Sequence, residues 1–511
     1  MSETYKRGGA DPGITTCGTP WPLIVASDAI LDTNQRARVN RLADTLAMSP
    51  PVRRARHYAA AFEAENVHAG WVPGPTLWVE DHRGIELVGD RVARGFEYRS
   101  LGLAREGDTL LVSGEREHDF ERYLRETLAL GAPQVQRVKW RDGSARSLCG
   151  ACLDDNAMLA HLVSTASDAG CFNLMPYRSD GHGWELARQI SREASVPAYI
   201  GAPVPPLARA ANDKLWFAST ARRLLGSDAS PPTWSAQSPA AAAARLARLA
   251  ASHERLVLKT PASAGALGNV VIDAEALRER RLDDVRARII ASVAEIGWSG
   301  PWPLLVGVWE AAAYASPSVQ MWIPPVQCGE PQVEGLYEQR LVGDRGIFVG
   351  ATEAGFETPL RQRLECEALM LALLLQRLGY VGRASFDALL VGTDRAAPHV
   401  HWIECNARWG GVSIPMCVLS RLGLRCRERG TLIAQLPIDA NATTFARLLK
   451  SSASLKFDRN THGGIIWLTP PCCGRHGVDF VAVGENTAAG IALGAELCAL
   501  LDVTAPDLAP A

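Results

Sequence analysis

The sequence lacks the features of a membrane or nucleic-acid-binding protein. None of its apolar runs approaches the roughly 18 residues needed to cross a bilayer, and the best candidate, residues 368–375, predicts a buried helix. The first residues have no apolar stretch typical of a secretory signal, so we expect a cytoplasmic protein. The formal net charge of −2 argues against a nucleic-acid or anionic-lipid partner, because it provides no overall basic field.

Lysine and cysteine are also informative by their scarcity. Only six of the 53 basic residues are lysines, so a lysine within a motif carries more information than usual. The 12 cysteines are too few over 511 residues for a small disulfide framework, and we expect mostly buried thiols. Cys149 and Cys152 have the spacing of a metal or thiol-redox pair, but no second pair follows at a matching distance.

Pattern and length indicate several α/β domains. The chain is long enough for three or four domain-sized cores, and its first 195 residues alternate short apolar runs with helical patterns, as in a Rossmann-like layer. No GxGxxG motif follows a predicted strand there, which argues against a dinucleotide site. The proline-rich residues 203–206 predict a domain boundary. The strands predicted before it are residues 21–26, 76–79 and 109–112, and the helices are residues 120–130 and 184–194.

Beyond this boundary the pattern changes to strands around a few helices. The predicted helices are residues 214–225, 240–251, 283–295, 361–378 and 487–501, and the predicted strands include residues 255–259, 270–272, 464–468 and 478–483.

The most specific signal is a pair of strands around a short loop at residues 392–398. An antiparallel hairpin is the simplest interpretation, because the connection is too short for a crossover. If the turn is symmetric and has no bulge, Asp387 faces Glu404. Side chains alternate faces along a strand, so Asn406 points the same way as Glu404. Two carboxylates and one amide are therefore expected on a single patch, with Arg408 following on the same side.

Oxygen ligands of this kind suit a hard cation such as Mg²⁺, which proteins often hold through a few groups together with substrate phosphates. Without a cation, the two facing carboxylates would repel each other. The alternative from spacing alone is two solvated acids on an exposed face.

A second signal is carried by two of the rare lysines. Lys259 ends an apolar strand and is followed by a turn of small residues at 263–269. Such an arrangement can place one positive charge and several backbone N–H groups around phosphates. It is not a Walker A loop, because no Gly-Lys-Ser/Thr follows. The alternatives are a purely structural turn and, for Lys214 at the start of a helix, a surface lysine.

In their order along the chain, these elements resemble the ATP-grasp superfamily. Residues 212–214 resemble the segment with its first nucleotide lysine, and Lys259 with the following loop resembles the second lysine and the phosphate lid. Residues 305–310 resemble the strand and hinge that hold adenine, and residues 404–408 with Asp387 resemble the metal site. More narrowly, residues 316–320, 338–339 and 406–411 are similar to the pheganomycin-type peptide ligases, which carry an α/β domain ahead of the grasp fold.

This resemblance implies a fold class of mixed α/β and α+β type. The implied domains are a Rossmann-like pre-ATP-grasp domain over 1–195, an ATP-grasp N-terminal lobe over 196–300, a C-terminal lobe over 301–433 and a small α/β segment over 434–511. The chain departs from the family pattern after the metal strand, at Trp409, Val412 and Ser413, which we expect to line the acceptor side.

The resemblance also implies a reaction and its residues. ATP would phosphorylate a small-molecule carboxylic acid, and the amine of an amino acid or peptide would attack the acyl phosphate, giving an amide, ADP and phosphate. The implied residues are Asp387, Glu404 and Asn406 for Mg²⁺; Lys214, Lys259, Ser263, Gly265, Gly268 and Glu310 for ATP; and Arg408, with Arg340 as a weaker candidate, for the transferring phosphoryl group. Arg340 has the alternative of an ordinary strand-face arginine. A small-molecule kinase on the same fold and a non-catalytic nucleotide-binding protein are the alternative functions.

Overall fold

The computed structural model describes residues 19–22, 24, 27–140, 147–424, 429–439, 443–471 and 476–503. Within these ranges, no helix is long and apolar enough to span a membrane. The strand predicted at residues 21–26 lies partly outside them, and the described residues there form no strand.

The first unit is a parallel sheet covered by helices, as predicted. In the described part of the chain its strand order is β1-β6-β5-β2-β3-β4, and each neighbouring pair is parallel. The strands are β1 (Val67–Ala69), β2 (Thr76–Val79), β3 (Thr109–Val112), β4 (Gln134–Arg137), β5 (Phe172–Pro176) and β6 (Ala198–Ile200). The helices are α1 (Thr33–Ala47), α2 (Pro50–Glu63), α3 (Asp90–Arg94), α4 (His118–Glu126), α5 (Leu148–Leu153), α6 (Asn156–Ala169) and α7 (Gly181–Ala194).

The strand order of this sheet marks where a ligand would bind. The chain proceeds from β2 to β3 and β4 on one side and then returns to place β5 on the other side of β2. Ligands of open α/β sheets bind at the carboxyl ends of the strands where the order reverses in this way. The segments that follow β2 and β5 therefore flank a candidate binding edge. Because β6 pairs with β1 and β5, the sheet extends to Ile200.

The second unit is a small antiparallel sheet with the order β7-β10-β8-β9. Its strands are β7 (Thr233–Ala236), β8 (Arg255–Lys259), β9 (Asn269–Asp273) and β10 (Leu304–Val308), and the helices of this region are α8 (Pro205–Asn212), α9 (Lys214–Leu225), α10 (Pro239–Ala250) and α11 (Leu282–Glu295). Its core is formed by apolar side chains such as Leu246, Leu258 and Ile289. Helix α9 begins at Lys214 because the Asp213 side chain caps it, accepting hydrogen bonds from two backbone N–H groups.

The third unit is a large sheet of nine strands within the described residues. The strands are β11 (Ala313–Ala315), β12 (Pro317–Ile323), β13 (Gln332–Val342), β14 (Ile347–Glu353), β15 (Gly382–Val391), β16 (His399–Asn406), β17 (Gly430–Asp439), β18 (Gly464–Trp467) and β19 (His476–Gly484). The helices are α12 (Thr358–Arg377), α13 (Ser413–Arg421), α14 (Phe445–Ser451) and α15 (Thr487–Leu500). Residues 368–375 are buried in α12, as predicted. Strands β17 to β19 continue the sheet from β14, so the C-terminal strands share one sheet with the candidate metal strands.

The predicted hairpin is present as β15 and β16, and Asp387 faces Glu404. The condition of a hairpin without a bulge is not met, because Ile403 is an extra residue between the pairs Asp387–Glu404 and Ala388–Trp402. Towards the turn, each pairing is displaced by one residue from the symmetric register. Beyond the bulge, the pairing returns to the symmetric register. Asp387 therefore faces Glu404 as predicted, although the hairpin as a whole is not symmetric.

Candidate active site

Asp387 lies at the centre of a buried polar patch on the large sheet. It is 5% exposed, and its Oδ1 accepts a hydrogen bond of 2.5 Å from Ser318 Oγ on β12, while its Oδ2 accepts one of 2.8 Å from Asn406 Nδ2 on β16. The side chain of Gln339 on β13 also bonds to it. Burial, followed by the charge of Glu404, raises the pKa of Asp387. The alternative of an acid on an exposed face is therefore wrong for this residue.

Glu404 is held by positive charge. Its Oε2 lies 3.0 Å from Lys214 Nζ, and the side chains are 25% and 11% exposed, so Lys214 is not an ordinary surface lysine. Burial acts to raise the pKa of Glu404, but Lys214, Lys259 and Arg408 together outweigh it and lower that pKa. Glu404 is therefore ionised at neutral pH, beside an acid that ionises only with difficulty.

This pair of acids fits a divalent cation. In the part of the chain that the structure describes, no salt bridge to Asp387 matches that of Lys214 with Glu404, and the charge of Arg408 opposes the rise in the Asp387 pKa without cancelling it. A cation bound to both carboxylates would favour the ionised form of each. Among the described residues, no group of three or more His, Cys, Asp or Glu side chains is arranged to hold a metal ion. Two carboxylates and an amide form a sparse oxygen set, which fits Mg²⁺ because this ion keeps several waters and takes further ligands from substrate phosphates.

Lys259 joins the same cluster from β8. Burial, reinforced by the charge of Lys214 and opposed by Glu404, lowers its pKa from 10.5 to about 8. Lys214 Nζ in addition donates to the backbone oxygen of Ser263, 3.3 Å away, in the loop that follows β8. The structure thus brings both predicted lysines, the loop and the acidic hairpin into one site.

We call residues 260–268, the loop between β8 and β9, the lid. Its base is closed by a hydrogen bond of 3.1 Å from Thr260 N to Gly268 O. A Cβ atom at Gly268 would lie 2.0 Å from Thr260 Oγ1 and 2.3 Å from Ser263 Oγ, so this position requires glycine. Gly265 has a φ of +60°, in the left-handed region that glycine adopts without strain. Both predicted lid glycines therefore have a conformational reason.

Arg408 is positioned by Asn212, at the end of α8. Asn212 Oδ1 accepts hydrogen bonds from Ala407 N at 3.0 Å and from Arg408 Nη1 at 3.2 Å. Arg408 Nε is buried and has no partner among the described residues. A buried, unpartnered donor of a cationic group is costly, so it is suited to an anionic ligand.

Two further predicted residues are placed differently. Glu310, beyond the end of β10, lies 3.0 Å from His401 Nδ1 on β16, which puts the predicted hinge beside the metal strand. Arg340 donates to Thr352 Oγ1 at 3.0 Å. Because adjacent strand residues point to opposite faces, Arg340 lies on the face of β13 opposite to Gln339 and points away from Asp387. A role for Arg340 at the transferring phosphoryl group therefore stays a prediction.

Three residues that follow β16, Trp409, Val412 and Ser413, are buried rather than exposed in a cleft. Trp409 is 3% exposed and packs edge-on against Trp21, with ring centroids 5.1 Å apart. Val412 and Ser413 are also buried, and Ser413 Oγ accepts a hydrogen bond from Gly410 N. The expectation for these three residues was therefore wrong, because they form the core where the large sheet meets the first domain.

A buried charged network follows β2, at the binding edge of the first sheet. The His82 ring is stacked between Phe96 and Tyr177, with centroids 4.1 and 4.0 Å away. Its Nε2 lies 3.1 Å from Glu80, which also accepts a hydrogen bond of 2.6 Å from Arg99. Burial, opposed by Glu80 and reinforced by Arg99 and Arg408, lowers the pKa of His82 to about 4. His82 is therefore neutral at pH 7, close to Arg408.

With this geometry established, comparison with protein families is informative about the first domain. Residues 97–191 match the family model of the Pre ATP-grasp domain. The matched segment contains β3, β4 and β5, whose parallel arrangement the structure shows. The predicted fold class, mixed α/β and α+β with a Rossmann-like pre-ATP-grasp domain at the start, is confirmed by this match and by the parallel and antiparallel sheets of the structure.

The whole chain is also similar, at low identity, to solved structures. The N5-carboxyaminoimidazole synthase of Aspergillus clavatus, solved with ADP and 5-aminoimidazole ribonucleotide, is 12% identical, with a TM-score of 0.48 and coverage of 84% of this chain and 98% of the other. The biotin carboxylase of Campylobacter jejuni, solved with a β,γ-ATP ligand, is 15% identical, with a TM-score of 0.49 and coverage of 84% and 91%. These values are too low to transfer residue roles. A search of curated proteins gives no match.

Several residues of the site were missed from sequence. Ser318 and Gln339 bond to Asp387, and Asn212 holds Arg408. All three lie in segments that carry the family resemblance, but no role of their own was predicted for them. One signal was available for Ser318. It and Gln320 are polar positions within the otherwise apolar strand β12, where both are at most 2% exposed. Polar side chains buried in a strand need partners, and such partners often belong to a site.

The cysteine pair singled out from spacing is buried in α5. Cys149 and Cys152 are free thiols. Burial, reinforced by neighbouring acids, raises the pKa of Cys149 well above its usual value and that of Cys152 to about 12. Since the thiolate is the reactive form, these are inert core cysteines.

Proposed function

We propose that this protein is an ADP-forming, ATP-dependent ligase that joins a carboxylic acid to the amine of an amino acid or peptide. The observation that carries the proposal is the convergence of Lys214, Lys259, Asp387, Glu404 and Arg408 from separate segments of the chain. Acids for a cation, lysines for phosphates and an unpartnered arginine are the groups that phosphoryl transfer requires.

The roles of these residues follow from their chemistry. Lys214 and Lys259, with the lid, would hold the nucleotide phosphates, and Glu310 would lie towards the adenine or ribose. Asp387, Glu404 and Asn406 would hold Mg²⁺, which neutralises charge on the phosphates when bound. Arg408, fixed by Asn212, would bind the transferring phosphoryl group or the developing oxyanion.

Formation of an acyl phosphate makes a poor electrophile reactive towards an amine, and exclusion of water by the lid would protect it from hydrolysis. The similarity of residues 316–320 and 406–411 to the pheganomycin-type ligases supports peptide bond formation in specialised metabolism. The match to a Pre ATP-grasp domain also supports the ligase assignment.

The test is ADP release from ATP and Mg²⁺ in a screen of paired acids and amines, with mass spectrometry of the conjugate. We expect ADP and phosphate in step with an amide. ADP formed together with a stable phosphorylated product would indicate a kinase instead.

Glu404→Gln is the variant that tests the site. It removes the charge that faces Lys214, and we expect at least a 10²–10³-fold loss of ADP release, typical of losing one transition-state contact. Glu295→Gln, at an exposed position of α11, is the matched control. Circular dichroism should show the wild-type fold for both variants. Full turnover by Glu404→Gln would remove the metal assignment.

A further inference from the structure

The lid also forms hydrogen bonds with the first domain. Glu86 N donates to Ala262 O at 3.3 Å, and Ala262 N donates to Glu86 Oε2 at 3.2 Å. Glu86 and Ser263 also form a parallel bridge. Ala264 packs against the apolar core that contains Trp78 of β2. Backbone and side chain of one residue, Glu86, thus hold the part of the lid that also contacts Lys214.

Glu86 belongs to a firmly anchored segment, residues 82–88, which we call the platform. His82 is stacked between two aromatic rings, as described above. Arg83 is 3% exposed, donates to Asp81 at 3.0 Å and Glu97 at 2.8 Å, and lies 4.1 Å from the centroid of the Trp140 ring. The backbone of Arg83 in turn accepts a hydrogen bond from Arg178. Anchoring of this kind fixes the place where Glu86 meets the lid.

The platform contacts the lid and lies near the arginine of the candidate active site. Through Glu86 it holds the lid, and through His82 it lies near Arg408, whose charge acts on the His82 pKa. Tyr177, which stacks on His82, accepts a hydrogen bond of 2.9 Å from Trp409 N with its backbone oxygen. The first domain is therefore connected to both the phosphate end and the arginine end of the site.

We propose that Glu86 is a positioning residue that docks the lid onto the first domain, so that closure over the nucleotide depends on a carboxylate from outside the nucleotide-binding lobes. This inference rests on the proposed function, since it treats residues 260–268 as a phosphate lid. Ala262 and Ser263 are adjacent, so a lid that opened would lose its contact with Glu86 and its contact with Lys214 together. We therefore expect the two contacts to form and break together.

The experiment is amide hydrogen exchange of the lid in the full-length protein, with and without a non-hydrolysable ATP analogue and Mg²⁺. In Glu86→Ala, we expect lid peptides to exchange about tenfold faster than in the wild type, because loss of a charge-assisted hydrogen bond gives a change of about this size. Glu86→Gln keeps an acceptor oxygen but loses the charge, so its lid peptides should exchange at a rate between those of the wild type and Glu86→Ala. Peptides from β8 serve as the internal control.

Kinetics provide the second readout. Glu86→Ala should raise the KM for ATP about tenfold with a smaller change in kcat, because the nucleotide must then close an undocked lid. The proposal is overturned if Glu86→Ala leaves lid exchange unchanged in both states, or if exchange rises equally across the whole first domain. If no acid and amine pair releases ADP but Glu86→Ala still accelerates lid exchange, the proposed function fails and the docking stands.

Discussion

The lowered pKa of Lys259 makes a strong prediction about nucleotide binding. In the free protein this pKa is about 8, compared with 10.5 for an ordinary lysine, and burial is the main cause. Only the ammonium form pairs with phosphate. Above pH 8 the free protein must therefore take up a proton when the nucleotide binds, so affinity falls as the pH rises. Below pH 8 the side chain is already charged, and affinity should not depend on this group.

The magnitude follows from the same pKa. A group that titrates at about 8 is roughly nine-tenths protonated at pH 7 and one-tenth protonated at pH 9. We therefore expect the Kd for MgADP to rise about tenfold between pH 7 and pH 9, equivalent to about 1.4 kcal/mol. Titration of the nucleotide phosphates adds little to the pH dependence of the Kd above pH 7.5, because the second pKa of a phosphate group is about 6.

The measurement is isothermal titration calorimetry in buffers of different ionisation enthalpy, which reports both the Kd and the number of protons taken up. Lys259→Arg is the matched control, because arginine stays protonated across this range and should remove the pH dependence. A wild-type Kd that stays constant from pH 7 to pH 9, or an equal slope in Lys259→Arg, would refute the reasoning.

Two further predictions concern positioning and the lid. Asn212→Ala removes the acceptor for Arg408 and Ala407, so we expect kcat to fall about 10- to 100-fold with little change in the KM for ATP. Asn212→Asp keeps the acceptor but neutralises Arg408, so it should lose at least as much activity; full activity in either variant would contradict this role. Gly268→Ala would displace Thr260 and Ser263 at the base of the lid and should raise the KM for ATP at least tenfold in steady-state assays. Gly265→Ala, whose Cβ meets no atom within 4 Å, should raise the KM less. A larger effect of Gly265→Ala would count against the lid geometry.

Local patterns predicted the elements of the site better than its contacts. Strand β8 was predicted with the observed bounds, and α9 begins at the predicted lysine, because apolar runs and a capping aspartate act over a few residues. The Asp387–Glu404 pair could also be predicted, since a hairpin register depends on nearby residues. The bulge at Ile403 could not, because it depends on packing against the rest of the sheet.

The contacts that complete the site are long-range. Asn212 and Arg408 are nearly 200 residues apart, and nothing in either local sequence identifies the other. Arg340 was predicted only as a weaker candidate, and the alternation along β13 places it on the face opposite to Gln339, where it bonds to Thr352. Buried charges such as Glu80 and Arg99 are also unpredictable from sequence, because a charged residue is usually exposed unless a distant partner neutralises it.

The ion pair between Arg99 and Asp479 has a consequence for how the chain reaches its native state. Arg99 is 3% exposed, and its Nη1 lies 3.5 Å from Asp479 Oδ2 on β19. During synthesis on the ribosome, this ion pair cannot form until some 380 further residues have been added after Arg99. Glu80 lies in the first domain and can pair with Arg99 early, whereas the contact with Asp479 fastens this domain to the large sheet only once β19 has been made.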